Sequence, residues 1–280
     1  MSFGPDPWQQ TQWDWRAAGN FVCGGAGAGV LLFTLLSGAQ GLALALALLC
    51  GLALVGTGLL CVWLEIGRPL RALHVYFNPR TSWMSREAFV AALLMPATLG
   101  AAADLPGCDW LAGALALAFV YCQSRMLQAA RGIPAWREPL LVPLVLLTGL
   151  VEGGGIWLLL RSPQAAPPLP LCLLLGALLL ARWALWLAYR RRLAGRVAPS
   201  ALRALDHSGR WLLGGSALAL AALALALTLA QGSTLAVALL CLAGFAAAAP
   251  GAWFKFILVT RAGFNQGFAL VHLPVRGVAR

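Results

Sequence analysis

Long unbroken runs of Leu, Ala and Gly decide what this chain can become. Residues 41–64 contain no charged side chain at all, and seven other stretches come close to that. A helix needs about 20 apolar residues to cross the hydrocarbon core of a bilayer, and each run supplies roughly that length. Only 10% of the 280 residues are charged, with 61% hydrophobic and a mean hydropathy of +0.81. A water-soluble domain carries roughly 25% charged residues, so lipid is the solvent for most of this chain. Membrane barrels alternate apolar and polar residues along each strand, whereas these runs are continuous, which selects helices. The expectation is an all-α polytopic membrane protein forming a single integral domain over 1–280. Its eight transmembrane helices are placed at 19–37, 41–65, 87–103, 109–130, 139–160, 168–189, 211–230 and 234–256.

The links between the runs are short and carry the charge. Gly38 and Gln40 join the first two segments, and Gln231-Gly232-Ser233 joins the last two, so these neighbours are antiparallel. The net charge of +11 would suggest nucleic acid in a soluble protein. Here the arginines sit between apolar runs, so topology explains them and no nucleic-acid partner is expected. With eight crossings, every Lys and Arg except Arg161 falls on one side or at helix ends facing it. Positive charge marks the cytoplasmic side, which places both termini there. Basic loops selected to dock an acidic partner would inflate the same count. The first 19 residues are polar and Trp-rich and lack the apolar core of a secretion signal.

One polar island stands out. It runs from Glu65-Ile66-Gly67-Arg68-Pro69-Leu70-Arg71 to Asn78-Pro79-Arg80-Thr81-Ser82-Trp83-Met84-Ser85-Arg86-Glu87, with four arginines and two glutamates. Glu65 closes the second segment. A carboxylate at that depth is paired or protonated, and Arg68 is the nearest partner in sequence. Such a group either exchanges protons with a bound ligand or simply fixes the helix boundary. Ser82 or Ser85 is placed to cap the third helix, with Glu87 in its first turn. Arg71, Arg80 and Arg86 suit lipid headgroups or acidic residues of a docked partner.

Other polar residues point toward the same face. Asn20 precedes the small-residue run 23–29, which lets another helix or a flat ring approach closely. Tyr121, Ser124, Arg125 and Gln128 follow helical spacing and form one stripe on the fourth segment. A pocket among the first four helices would gather Asn20, Glu65 and this stripe. Glu152 lies about 13 residues into the fifth segment, roughly 20 Å deep at 1.5 Å per residue, before Gly153-Gly154-Gly155. It reads either as part of a water-filled proton path or as a hydrogen-bonded structural carboxyl. The seven cysteines show no C-x-x-C spacing and read as small packing residues, so no iron–sulfur cluster is expected in this chain. His74, His207 and His272 lie in links or the tail. Paired axial histidines on facing helices are therefore not expected, and haem is not expected; if haem were present, His207 or His74 would be the ligand.

The chain resembles the membrane-anchor subunits of the dimethyl sulfoxide reductase and polysulfide reductase group. The resemblance rests on Gly67-Arg68-Pro69, on residues 78–87, on Ile133-Pro134-Ala135-Trp136, on the tail Arg261-Ala262-Gly263-Phe264-Asn265-Gln266-Gly267-Phe268-Ala269-Leu270, and on the eight-span layout. It implies a three-subunit complex in the bacterial cytoplasmic membrane. A molybdenum–pterin subunit would act on the sulfur substrate and a ferredoxin-like iron–sulfur subunit would carry electrons. The anchor would exchange electrons and protons with ubiquinone or menaquinone. On that reading Glu65, Asn20, Tyr121, Arg68 and Arg125 bind quinone, Glu65 and Glu152 handle protons, and Arg71, Arg80 and Arg86 dock the partner. Dimethyl sulfoxide reductase anchors can carry histidine where this chain has Glu65. With the basic links, this favours likeness to sulfite-oxidising anchors, with electrons flowing from sulfite to quinone. Reduction of dimethyl sulfoxide or polysulfide by quinol is the alternative. A secondary transporter is the competing class and would need paired broken helices in the two halves. A purely structural tether is the third.

Overall fold

The computed structural model describes residues 4, 6–66 and 69–267, all organised by helices. Arg68, His272 and the tail motif from residue 268 onward lie outside the described residues. Eight helices are long: α1 Trp15–Leu36, α2 Gly41–Glu65, α3 Trp83–Ala102, α4 Cys108–Ala129, α5 Leu141–Arg161, α6 Leu169–Leu193, α7 Pro199–Thr228 and α8 Thr234–Thr260. All except α3, seven in number, are long and apolar enough to cross a membrane. The first two turns of α3 hold Ser85, Arg86 and Glu87, which lower its hydropathy. A 3-10 helix, Pro69–Phe77, fills the link before α3, and a single turn, Pro134–Arg137, precedes α5.

Two boundaries depart from expectation with consequences. Ser82 caps α3, its Oγ accepting from Ser85 N at 3.3 Å, so the helix begins at Trp83 and not at 87. Glu87 then falls in the second turn and faces the interior, outside the first turn where it was expected. The seventh helix starts at Pro199 and not at 211, because α6 runs on to Leu193 and only five residues separate the two helices. His207 therefore lies on a helix and not in a link, on an exposed face of α7.

The long helices form two four-helix bundles. In the first, α1 packs on α2 and α4, and α3 lies along α4. In the second, α5 packs on α6 and α8, and α7 lies between those two. The bundles meet along α1 and α5. Gly25 and Gly29 of α1 face Gly149 and Gly153 of α5, and a Cβ on Gly153 would collide with the backbone of Gly29. Gly155 meets Gly244 of α8 in the same way. The glycines after Glu152 are thus a packing surface, which replaces the reading of them as a sign of local water.

The described N-terminal and C-terminal segments, residues 6–10 and 259–266, gather at one end of the bundle. Gln9 bridges to Phe264, Asn265 N donates to Trp8 O at 3.0 Å, and Gln10 Nε2 donates to Val259 O at 3.1 Å. The Pro134–Arg137 turn is pinned beside them: Trp136 Nε1 donates to Leu258 O at 3.0 Å, and Tyr189 Oη donates to Ala135 O at 2.9 Å. The conspicuous Ile-Pro-Ala-Trp segment is accordingly a buried plug under the chain ends.

Candidate functional site

The site begins with a flaw in α1. Residues Asn20–Gly24 form a π-helical turn between two α-helical stretches. The wider turn displaces carbonyls from ordinary i to i+4 bonding, and such turns gather at functional positions. Side chains from other helices take up these carbonyls. Gln123 Nε2 of α4 donates to Asn20 O at 2.9 Å. Lys255 Nζ of α8 donates to Phe21 O at 2.5 Å and Val22 O at 3.5 Å.

On the α4 side the groups are uncharged amides and one carboxyl. Asn20 Nδ2 donates to Glu87 Oε1 at 3.1 Å, and Gln123 Nε2 approaches Asn20 Oδ1 at 3.3 Å. All three side chains are buried. A carboxyl in that position must be satisfied by hydrogen bonds, and the amides supply them. Sequence spacing picked out Asn20 but neither partner. Gln123 lies one position off the Tyr121 stripe, and Glu87 was expected in the first turn of α3, with no interior partner assigned.

Asn20 also lines a cavity of about 120 Å³ with Glu65, Trp13, Ala17, Phe21, Val62, Ile66, Met84 and Met126. Glu65, half-buried at the end of α2, forms its outer edge. Of the residues expected to share a pocket, Asn20 and Glu65 line this cavity. The cation near Glu65 is Arg16, whose Nη1 donates to Leu64 O at 2.9 Å. Arg16 also pairs with Asp14 at 2.9 Å, and that hydrogen bond holds the Asp14 carboxyl below its ordinary pKa. The cavity is lined by aromatic rings, thioethers and aliphatic side chains together with the polar groups of Asn20 and Glu65.

Tyr121 and Arg125 go elsewhere. Tyr121 is 40% exposed and meets Trp83 edge-on, with centroids 5.7 Å apart. Arg125 lies 4.9 Å from the Trp83 ring centroid, and Arg86 lies over the same ring at 4.2 Å. Ser124 is buried but bonds back to Val120 O at 2.8 Å. The helical stripe is real as a spacing, yet it does not line the cavity with Asn20 and Glu65. Arg86 donates to Pro79 O at 2.9 Å and Arg80 O at 2.7 Å, so it closes the link before α3. Arg71 and Arg80 are exposed.

On the far side of the π turn the groups are charged. Lys255 Nζ lies 2.5 Å from Glu152 Oε2, both side chains 1% exposed. Arg182 is wholly buried, donating to Ala247 O at 3.0 Å and Ser216 Oγ at 2.8 Å. Gly251 leaves the space between Glu152 and Arg182: a Cβ there would sit 2.8 Å from Glu152 Oε1 and 3.0 Å from Arg182 Nη1. Lys255 is thus paired with Glu152, and Arg182 lies across the Gly251 space from the same carboxylate. The sequence reading counted Arg182 and Lys255 with the helix-end charges facing the basic side. Both are interior groups and carry no weight in that count. A lone Arg in the middle of the Leu-rich run 169–189 was the available signal.

Among the described residues, no three His, Cys, Asp or Glu side chains converge to hold a metal ion. Fold and site together define a polytopic helical membrane protein with two buried polar clusters joined by a π turn. Comparison with family models and with curated proteins gives no match.

Proposed function

We propose that this chain is the quinone-reacting membrane anchor of a molybdoenzyme complex, exchanging electrons and protons between membrane quinone and a docked iron–sulfur subunit. The observation that carries this reading is the cavity of about 120 Å³ whose lining includes both Asn20 and Glu65. Cavities of about 150 Å³ hold a benzene ring, so this one is of ring size. Trp13, Phe21, Met84 and Met126 offer flat and polarisable faces to such a ring. The Asn20 amide has a second N–H beyond the one given to Glu87, free to donate to a quinone oxygen. Glu65, at the helix end, faces both cavity and aqueous side and passes protons between them. Quinone reduction takes up two electrons and two protons, so a carboxyl at this edge is the group the chemistry needs.

We take all eight long helices as crossings. The two chain ends hydrogen-bond to each other, and an even number of crossings returns them to one face. The basic links lie on that face, and on the positive-inside argument it is cytoplasmic. Soluble partners would then dock beside the cavity, with Arg71 and Arg80 among the contacts. The Glu152–Lys255 pair supports the site from the other side, since Lys255 and Gln123 both contact the π turn that carries Asn20. The sulfur chemistry rests on resemblance, which favours sulfite as electron donor over dimethyl sulfoxide or polysulfide as acceptor.

Affinity purification from native membranes tests the reading. Co-isolation of a molybdenum subunit and a cluster-bearing subunit, whose electron paramagnetic resonance signal shifts with a quinone analogue, is the expected result. Isolation without any cluster-bearing partner, with solute uptake in liposomes, would replace it with a transporter.

A further inference from the structure

A cavity of about 760 Å³ lies elsewhere, at the end of the bundle where α3, α4 and α6 meet the link before α5. Its lining includes four arginines from four separate pieces of chain: Arg125 of α4, Arg131 of the following link, Arg137 of the short turn and Arg196 after α6. We propose that this cavity binds the headgroup of an anionic phospholipid carrying two phosphodiesters.

The lining carries more positive than negative charge, which favours an anion. The one carboxylate in the lining, Glu138, is already paired with Arg192 at 3.2 Å. Arg137 meets the Gln266 amide oxygen at 2.8 and 2.9 Å, which satisfies hydrogen bonds but cancels no charge. Arg125 is held by its contact with Trp83, and its Nε is buried with no hydrogen-bond partner. Four guanidinium groups around one space repel one another unless a multivalent anion sits between them. The guanidinium fork matches phosphate oxygens two at a time.

Size and place select a lipid. A volume of about 760 Å³ far exceeds a single inorganic ion and falls in the range of sites for whole small molecules. The cavity lies at the ends of membrane helices, at headgroup depth, and Trp83, Pro134, Pro139 and Leu193 give it an apolar wall for the glycerol and ester region. Basic pockets between membrane helices on the cytoplasmic side take such headgroups. The site does not depend on the quinone reading.

Native mass spectrometry of the full chain, delipidated in detergent and titrated with tetraoleoyl cardiolipin, tests the proposal. Dioleoyl phosphatidylcholine and inorganic phosphate serve as comparison ligands. The expected result is one tightly retained cardiolipin, weakened about tenfold or more in Arg125→Gln/Arg196→Gln. Arg196→Lys, which keeps the charge, should retain most of the affinity, and Arg203→Gln, exposed on α7, should change nothing. Arg196→Gln alone, in an exposed link, serves if the double variant does not fold. Equal binding of phosphatidylcholine, or equal weakening by Arg203→Gln, would overturn the proposal. Displacement of the lipid by millimolar phosphate would assign the cavity to a soluble phosphate compound instead. Displacement by a purified iron–sulfur partner would make it a protein-docking surface.

Discussion

The two bundles solve the same problem with different chemistry. In the first, the buried carboxyl Glu87 is met by the amides of Asn20 and, through it, Gln123. In the second, the buried carboxylate Glu152 is met by Lys255 and lies beside Arg182. A network of amides around one carboxyl tolerates loss or gain of a proton because its amides can reorient. A charged one does not, because each ion is costly in lipid unless its partner is present. The first cluster borders a cavity open to a ligand, whereas the second is enclosed by α5, α6 and α8. The contrast separates a place where chemistry can happen from a place that holds charge fixed. The π turn joins them, since its carbonyls accept from both sides.

Breaking the charged cluster should have the largest effect. Glu152→Gln leaves two buried cations facing each other and is expected to cost about 3–5 kcal/mol. Lys255→Met should cost less, because the carboxyl left behind can take up a proton. Thermal unfolding in detergent checks the order, and a Lys255→Met variant less stable than Glu152→Gln would contradict it. The seam between the bundles comes next. Gly153→Val pushes side-chain atoms into the Gly29 backbone and should cost about 1–3 kcal/mol, read in the same assay. Asp14→Ala removes the N-cap bond to Arg16 N and should cost about 1 kcal/mol. Because the Asp14 carboxyl is held below its ordinary pKa, the stability it gives is present at neutral pH. It is lost as pH falls through that lowered value, so wild type and Asp14→Ala should converge in acid. The smallest effect belongs to Glu87→Gln. A glutamine oxygen still accepts from Asn20, so the change should stay below about 1 kcal/mol. A loss as large as that of Glu152→Gln would erase the distinction between the clusters.

Much of the scaffold was legible because apolar length is a strong signal in lipid. The segment 41–65 coincides with α2, and Ser82 was one of the two residues named as a cap. The meeting of Asn20 and Glu65 followed from their common depth near one membrane face. What sequence could not give was rotation about each helix axis. Tyr121, Ser124, Arg125 and Gln128 share a stripe, but spacing does not say which side of α4 is inside, and Gln123 is the residue that reaches Asn20. Glu87 was placed in the first turn of α3, but the helix starts four residues earlier, which carries it into the second turn and the core. The π turn left no mark, since no proline interrupts residues 20–24 and glycine there reads as packing.

The quinone role of the cavity bordered by Asn20 and Glu65 is the central claim, and Glu65→Gln in the intact complex tests it most directly. Quinone-coupled turnover is measured beside turnover with an artificial dye that takes electrons from the soluble subunits. The account predicts that quinone turnover falls by about 100-fold or more, the scale of a lost proton-transfer group, while dye turnover is unchanged. Quinone turnover equal to wild type would contradict it.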